Sequence, residues 1–297
     1  MQLIVSILEQ TFIYGIMGLG VYISYRILNF PDLSVDGSFP FGAAVSAVLI
    51  LKGVNPFLSL LIAMALGSLI GLVTGIIHVK FGIPDLLSGI LVMLALYSVN
   101  LRIVGTSNVA LFGEATIFNT PPASFLPEAL KSVSSLLVVF VLFFAVKLLM
   151  DAYLKTKSGF LLRAVGDNPR IAVSLAKNPG KIKIMGLMLS NALVSLSGAV
   201  LCQYQRSFEI TMGSGKMVMG LAGVIIGMSI FSRLPKVKGT TTVLGGMFVY
   251  EVAVMLAILV GLNSNDLKLV TSVIFFVALV ANRKGGLFRK GKKNAGI

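Results

Sequence analysis

The chain has 297 residues, of which 56% are apolar and only 12% charged, and its mean hydropathy is +0.95. Soluble domains carry about 25% charged residues, so this composition excludes a water-soluble enzyme, a disordered chain and a nucleic-acid-binding domain. The net charge of +14 therefore has to be read by position, as a topology signal. One cysteine, Cys202, and one histidine, His78, exclude an internal disulfide, a cysteine metal cluster and a multi-histidine metal site.

In chain order, the first apolar run covers about residues 3–28. It has no basic n-region and no small-residue cleavage site, so it reads as a retained span that could hide a kink or a re-entrant piece. A polar break follows, Asn29-Phe30-Pro31-Asp32-Leu33-Ser34-Val35-Asp36-Gly37, and then spans at about 36–52, 56–79 and 84–104. After the loop 105–131 comes a span at 132–150, a polar link 151–183 and a span at 184–204. A second break runs from Arg206 to Lys216, followed by spans at 216–232, 239–260 and 267–282 and a basic tail, 284–297. Period-2 alternation is absent and the runs approach the ~20 residues that cross a bilayer as helix. The expected fold is an all-α, polytopic membrane helical bundle of about nine transmembrane helices, forming one transmembrane domain over 1–297.

Lys and Arg orient the bundle. The link 151–183, the link 233–238 and the tail together with Arg283 just before it hold sixteen of the 25 basic residues, and nine spans put all three on one side, which must be cytoplasmic. The loop 105–131, with one Lys and two Glu, falls outside, so the N-terminus is expected outside and the C-terminus inside. The basic tail has a second reading, as an anchor to lipid headgroups.

The two halves resemble each other. Each runs long span, polar break, short glycine-containing span, long span, final span. A shift of 180 pairs Gly18 with Gly198, Arg26 with Arg206, Ser34 with Ser214 and Ile50 with Ile230. With 132–150 as the linking span, repeat one (about 1–104) and repeat two (about 184–283) have inverted orientation, a construction plan of transporters whose solute path follows interrupted helices. The candidate path residues are Asp32, Ser34, Asp36 and Glu251. The first break could equally be a turn in which Ser34 or Asp36 caps the next helix. Glu251, inside an apolar run, is either a polar pin between helices or a path residue. Gly67, Gly71 and Gly75, like Gly223 and Gly227, lie on one helix face and read as close-packing positions. Asn100 and Asn191 read as hydrogen-bonded packing, His78 as interfacial and Cys202 as a packed side chain.

No energy-coupling chemistry is visible: there is no G-x-x-x-x-G-K-[ST] phosphate loop, no histidine relay and no ladder of intramembrane carboxylates. The informative stretch is Gly159–Lys183. Asn168 is a natural N-cap and Pro169 fits the first helical position, so a helix is expected over 169–177, presenting Ile171, Ala172 and Leu175 together and stopping at Asn178-Pro179-Gly180. Alone in water so short a helix is marginal, so it needs a partner's groove.

Leu162-Arg163-Ala164-Val165-Gly166-Asp167-Asn168-Pro169, followed by a helix and a span, resembles the cytoplasmic coupling segment of ABC importer permeases of the branched-chain amino acid and ribose group. The stretch from Asn29 to Pro40 is similar to a subgroup of tryptophan/tyrosine transport permeases. The resemblance implies that an ABC ATP-binding subunit docks on Arg163, Gly166, Asp167, Asn168, Pro169, Arg170, Ile171 and Leu175. It implies a second permease copy, an extracytoplasmic substrate-binding protein, a position in the lipid of the cell membrane, and no cofactor. The expected function is import of a small polar solute, an amino acid by family resemblance, with no catalysis by this chain. The competing reading is a self-contained secondary transporter, which inverted repeats also suit.

Overall fold

The computed structural model describes residues 2–120, 133–231, 237–261, 266 and 269–280. Helix α1 (Gln2–Val21) passes into a π-helical turn, Tyr22–Ile27, so the irregularity of the first run is a local widening of the helix and not a re-entrant piece. Next come α2 (Val35–Leu51), α3 (Pro56–Phe81), α4 (Asp85–Val104), strand β1 (Asn108–Ala110), α5 (Ser134–Leu154), α6 (Lys157–Asp167), α7 (Pro169–Ser174) and α8 (Pro179–Gln205). Strand β2 (Ser207–Glu209), a 3₁₀ turn (Ile210–Gly213), α9 (Lys216–Phe231), α10 (Gly239–Leu259) and α11 (Leu269–Val280) complete it.

Among the described residues seven helical segments are long and apolar enough to cross a membrane, and α2 and α11 are shorter apolar helices. These nine segments answer to the expected nine runs, and the fold is an all-α polytopic bundle. Boundaries differ where capping was misread. Asn178-Pro179 does not end a helix. Asn178 accepts from the backbone N–H of Gly180 and Lys181 and starts α8 there, lengthening the expected span by a turn at its start. Asn55-Pro56 starts α3 the same way, with Asn55 accepting from Phe57 and Leu58. The polar link also holds α6, which was not anticipated.

α1 and α8 form the centre of the bundle. α8 packs chiefly on α3 and α2, and α1 packs on α10 and α9. Small residues set these contacts: a Cβ on Gly71 would overlap the Leu187 carbonyl, one on Gly67 would overlap Ser195, and one on Gly227 would overlap the Thr242 carbonyl. The glycine stripes are therefore packing surfaces, as expected.

The two ends of the bundle are distinct. At one end β1 pairs antiparallel with β2, tying the 105–120 segment to the second break. Glu9 accepts from Tyr204 Oη at 2.8 Å there, so α1 begins at this end. At the other end lie α6 and α7. The links and tail whose basic residues oriented the bundle lie partly outside the described residues, namely 232–236 and 281–297.

Candidate functional site

The first break is a buried polar knot. Asn29, with φ 52°, turns the chain out of the π-helical segment. Asp32, wholly buried, accepts from Ser34 N (2.9 Å), Ser34 Oγ (2.6 Å) and Asn191 Nδ2 (2.8 Å). Asn191 Oδ1 in turn accepts from Ser38 Oγ. Asn191 lies ~18 Å along α8 from Pro179, near the middle of a helix ~40 Å long. α2 therefore begins near the middle of the bundle, beside Asn191. Asp32 and Ser34 bind protein and line none of the cavities described below. Ser34 holds the N-cap position of α2 without a side-chain cap bond.

Asp36 does cap a helix, but not its own. Its carboxylate accepts from Gly215 N at 3.0 Å and Met217 N at 2.6 Å, at the start of α9. A carboxylate on the first N–H groups of a helix is a charge-assisted bond aligned with the helix dipole. The starts of α2 and α9, the helices after the two breaks, thus meet in the interior. A Cβ on Gly213 would overlap the Asp36 carbonyl, so the second break reaches this depth only as glycine.

Beside this junction stands Lys216, which sequence reasoning passed over. Its ammonium donates to Tyr14 Oη at 3.0 Å and lies 4.2 Å from the Tyr14 ring centroid and 5.5 Å from that of Phe39. Among the described residues the ion pairs are those of Asp151, and Lys216 has none. The available signal was a lone cation opening an apolar run. Glu251 is 4% exposed and among the described residues its Oε1 has no hydrogen-bond partner; Lys216 is the charge acting on it. Two cavities flank the junction and share Ser214. One of about 380 Å³ is lined by Asp36, Pro40, Tyr97, Asn100 and Thr211 among others. The other, of about 280 Å³, is lined by Lys216, Met219, Tyr250, Thr271 and Ser272 among others.

Asn100 and Asn191 are buried and hydrogen-bonded, as read from the sequence, although Asn100 Oδ1 has no partner among the described residues. His78 bridges helix ends, with Nδ1 2.9 Å from the Ile83 carbonyl oxygen and Nε2 3.4 Å from Lys183 Nζ. Cys202 is buried.

The residues of the link separate by exposure. Asn168 accepts from Arg170 N at 3.0 Å and Pro169 starts α7. The helix ends at Ser174, because Ala176 adopts φ 54°, and does not run to 177. Ile171 (41% exposed), Val173 (62%) and Leu175 (52%) face outward. Ala172 is fully buried, so it does not share a face with Ile171 and Leu175. The one-methyl side chain lets α7 lie on the bundle while its larger residues remain outside. Arg163, Asp167, Asn168, Pro169 and Arg170 are exposed. Arg163 Nη2 donates to the Leu154 carbonyl, holding α6 on the end of α5.

Gly166 is the inward contact of this segment. Its carbonyl accepts from Asn29 Nδ2 at 3.2 Å, and a Cβ there would overlap the Ile27 carbonyl. α6 thus presses on the chain just before the Asp32 knot. Asp151 makes a second tie at this end, accepting from Lys147 (3.1 Å), Lys238 (3.1 Å) and Thr240 (2.6 Å) and so joining α5 to α10.

Residues 3–280 match the family model for the branched-chain amino acid transport system permease component. The chain is 42% identical to a tyrosine transport system permease protein of Clostridioides difficile, over 93% of this chain and 90% of that one. It is 28% identical to a probable branched-chain amino acid transport permease protein of Methanocaldococcus jannaschii, over 72% of this chain and 70% of the other. It is 26% identical to the ribose import permease protein of Escherichia coli, over 94% and 85%. No solved structure matches the chain.

Proposed function

The chain belongs to the family of branched-chain amino acid transport system permease components, and on that premise we propose that it is the membrane-spanning subunit of an ATP-driven ABC importer for an amino acid. Tyrosine is the first solute to test, because it is named for the C. difficile relative. ATP hydrolysis resides in a partner chain and this chain carries no catalysis of its own.

The carrying observation is α7. It is a capped, six-residue helix whose Ile171 and Val173, with Leu175 just after it, stand exposed. Such a surface needs a groove, and an ATP-binding subunit supplies one. The end bearing α6 and α7 is then cytoplasmic, as is the C-terminus. The β1–β2 end and the start of α1 face outside, where an external binding protein delivers solute. A second copy of the chain completes the path in the lipid bilayer. The two halves act as inverted repeats, with a left-handed residue, Asn29 or Arg206, at each break.

The coupling route follows the contacts. Movement of α7 and α6 bears through Gly166 on Ile27 and Asn29, and from there on the Asp32–Asn191 knot that seats α2. α2 carries Asp36, and Asp36 holds the start of α9. Access at the α2–α9 junction thereby depends on the docked partner. The test is uptake into proteoliposomes containing the chain and its ATP-binding partner, with external binding protein. Ile171→Asp with Leu175→Asp abolishes ATP-driven uptake while the chain still inserts; unchanged uptake refutes the docking role. A secondary transporter would move solute without the partner, driven by an ion gradient.

A further inference from the structure

We propose that the cavity between α2, α4 and the second break is a solute subsite in which Asn100 Oδ1 accepts a hydrogen bond from the α-ammonium group of the solute. This rests on reading the chain as an amino-acid permease and adds where the amino group is held and by which side chain.

Asn100 is wholly buried in the last two turns of α4 and lines the cavity of about 380 Å³. Its amide has one orientation. Nδ2 donates to the Gly37 carbonyl oxygen at 3.2 Å, and a flipped amide would set two carbonyl oxygens together. Oδ1 is therefore the group the amide has to offer, and among the described residues it has no donor. A buried acceptor left without a donor is costly, and native proteins keep few of them. On a membrane helix such a polar group is retained for what enters the cavity it lines.

The rest of the wall selects the donor. Its other polar groups are the Asp36 carboxylate, the Tyr97 phenol and the hydroxyls of Thr211 and Ser214, and among the described residues no Lys or Arg lines it. Thr211 donates its proton to Glu209 Oε1, which leaves its oxygen as an acceptor. Asp36 is already engaged by Gly215 N, by Met217 N and by the charge of Lys216. Asn100 Oδ1 is thus the buried acceptor that stands vacant. A wall rich in acceptors and bearing an aromatic ring favours a cationic donor, and in an amino acid that donor is the ammonium. Pro40, Met93, Leu94 and Ile210 leave the remaining wall apolar for a side chain. The volume lies within the roughly 300–1,000 Å³ of small-molecule sites. The cavity reaches from Thr211, two residues beyond β2, to Asp36 at the α2–α9 junction. A solute held there lies on the β1–β2 side of the junction on which the coupling route acts.

The experiment measures equilibrium binding to the full-length chain in lipid nanodiscs, without ATP or binding protein. The probes are L-tyrosine, L-phenylalanine and L-leucine, each beside the acid that lacks its amino group: 3-(4-hydroxyphenyl)propionate, 3-phenylpropionate and 4-methylpentanoate. Wild type should bind at least one amino acid about tenfold more tightly than its acid, because the acid leaves the buried acceptor unpaired. Asn100→Leu keeps the volume, removes the acceptor and should erase that preference; Asn100→Asp keeps an oxygen at Oδ1 and should retain it. The proposal fails if wild type binds no amino acid or shows no preference, or if both variants lose the preference. A lowered unfolding midpoint of Asn100→Leu with the preference intact would make Asn100 a packing residue and overturn the proposal. Loss instead of a preference for L-tyrosine over L-phenylalanine would assign the acceptor to the phenol and overturn the ammonium assignment. Thr211→Cys, on the exposed rim of the same cavity, gives a readout that does not depend on how the Asn100 variants fold. A thiol reagent should label it more slowly in the presence of the amino acid than of its acid, and equal rates overturn the proposal. ATP-driven uptake by the wild type is a separate measurement, so loss of this subsite leaves the permease reading standing.

Discussion

Removing the Asp36 carboxylate tests whether the two interrupted helices are joined as described. Asp36→Ala deletes the acceptor of two backbone N–H groups, those of Gly215 and Met217. A hydrogen bond to a charged group contributes about 1.5–3 kcal/mol. Asp36 is half-buried, so solvent screens part of this and the lower end applies to each bond. The expected loss is about 3 kcal/mol for the pair. Asp36→Asn retains one carbonyl acceptor without charge and should lose about half as much. The assay is thermal or denaturant unfolding of the purified chain in nanodiscs, with a cysteine at Ser214 reporting local opening by its labelling rate. The Ala variant should label faster than wild type before global unfolding, with Asn in between. Equal stability of all three chains, or equal labelling, would refute the junction.

Other consequences are as direct. Asn191→Leu strips Asp32 of its Nδ2 donor inside the bundle and should cost about 2–3 kcal/mol; an unchanged unfolding midpoint would mean the knot does not hold α2. Gly71→Ala forces a methyl group onto the Leu187 carbonyl and should cost about 1–3 kcal/mol, whereas Leu69→Ala on the exposed side of α3 should be nearly neutral. Cysteines at Ser174 and Thr120 should react with an impermeant thiol reagent from opposite sides of sealed vesicles; reaction from one side would break the topology.

The sequence disclosed what depends on local pattern. Apolar runs located the membrane helices, because burial in lipid demands uninterrupted apolar length. Asn168-Pro169 was legible as a helix start because cap and ring act on adjacent backbone. The same logic applied to Asn178-Pro179 would have moved the start of α8. The glycine stripes read correctly because a missing Cβ has one common use between membrane helices. What escaped depended on distant partners. Asp36 resembled a local cap, but its two N–H donors lie about 180 residues away. Ala172 resembled a member of the exposed face until α7 was seen lying against the bundle. Lys216 was masked by counting basic residues only outside the spans, although its place at the start of an apolar helix was the visible sign. The β1–β2 pair is three residues a side and leaves no periodic trace.

The central claim is that α7 receives the work of an ATP-binding partner. The most direct measurement is uptake of radiolabelled L-tyrosine and L-leucine into proteoliposomes holding the chain with that partner, with the ATPase rate followed in parallel. The account predicts ATP-dependent accumulation that Ile171→Asp with Leu175→Asp abolishes, leaving the chain inserted and the partner's own hydrolysis intact. Accumulation that persists in the variant, or that proceeds in wild type without the partner, would contradict it.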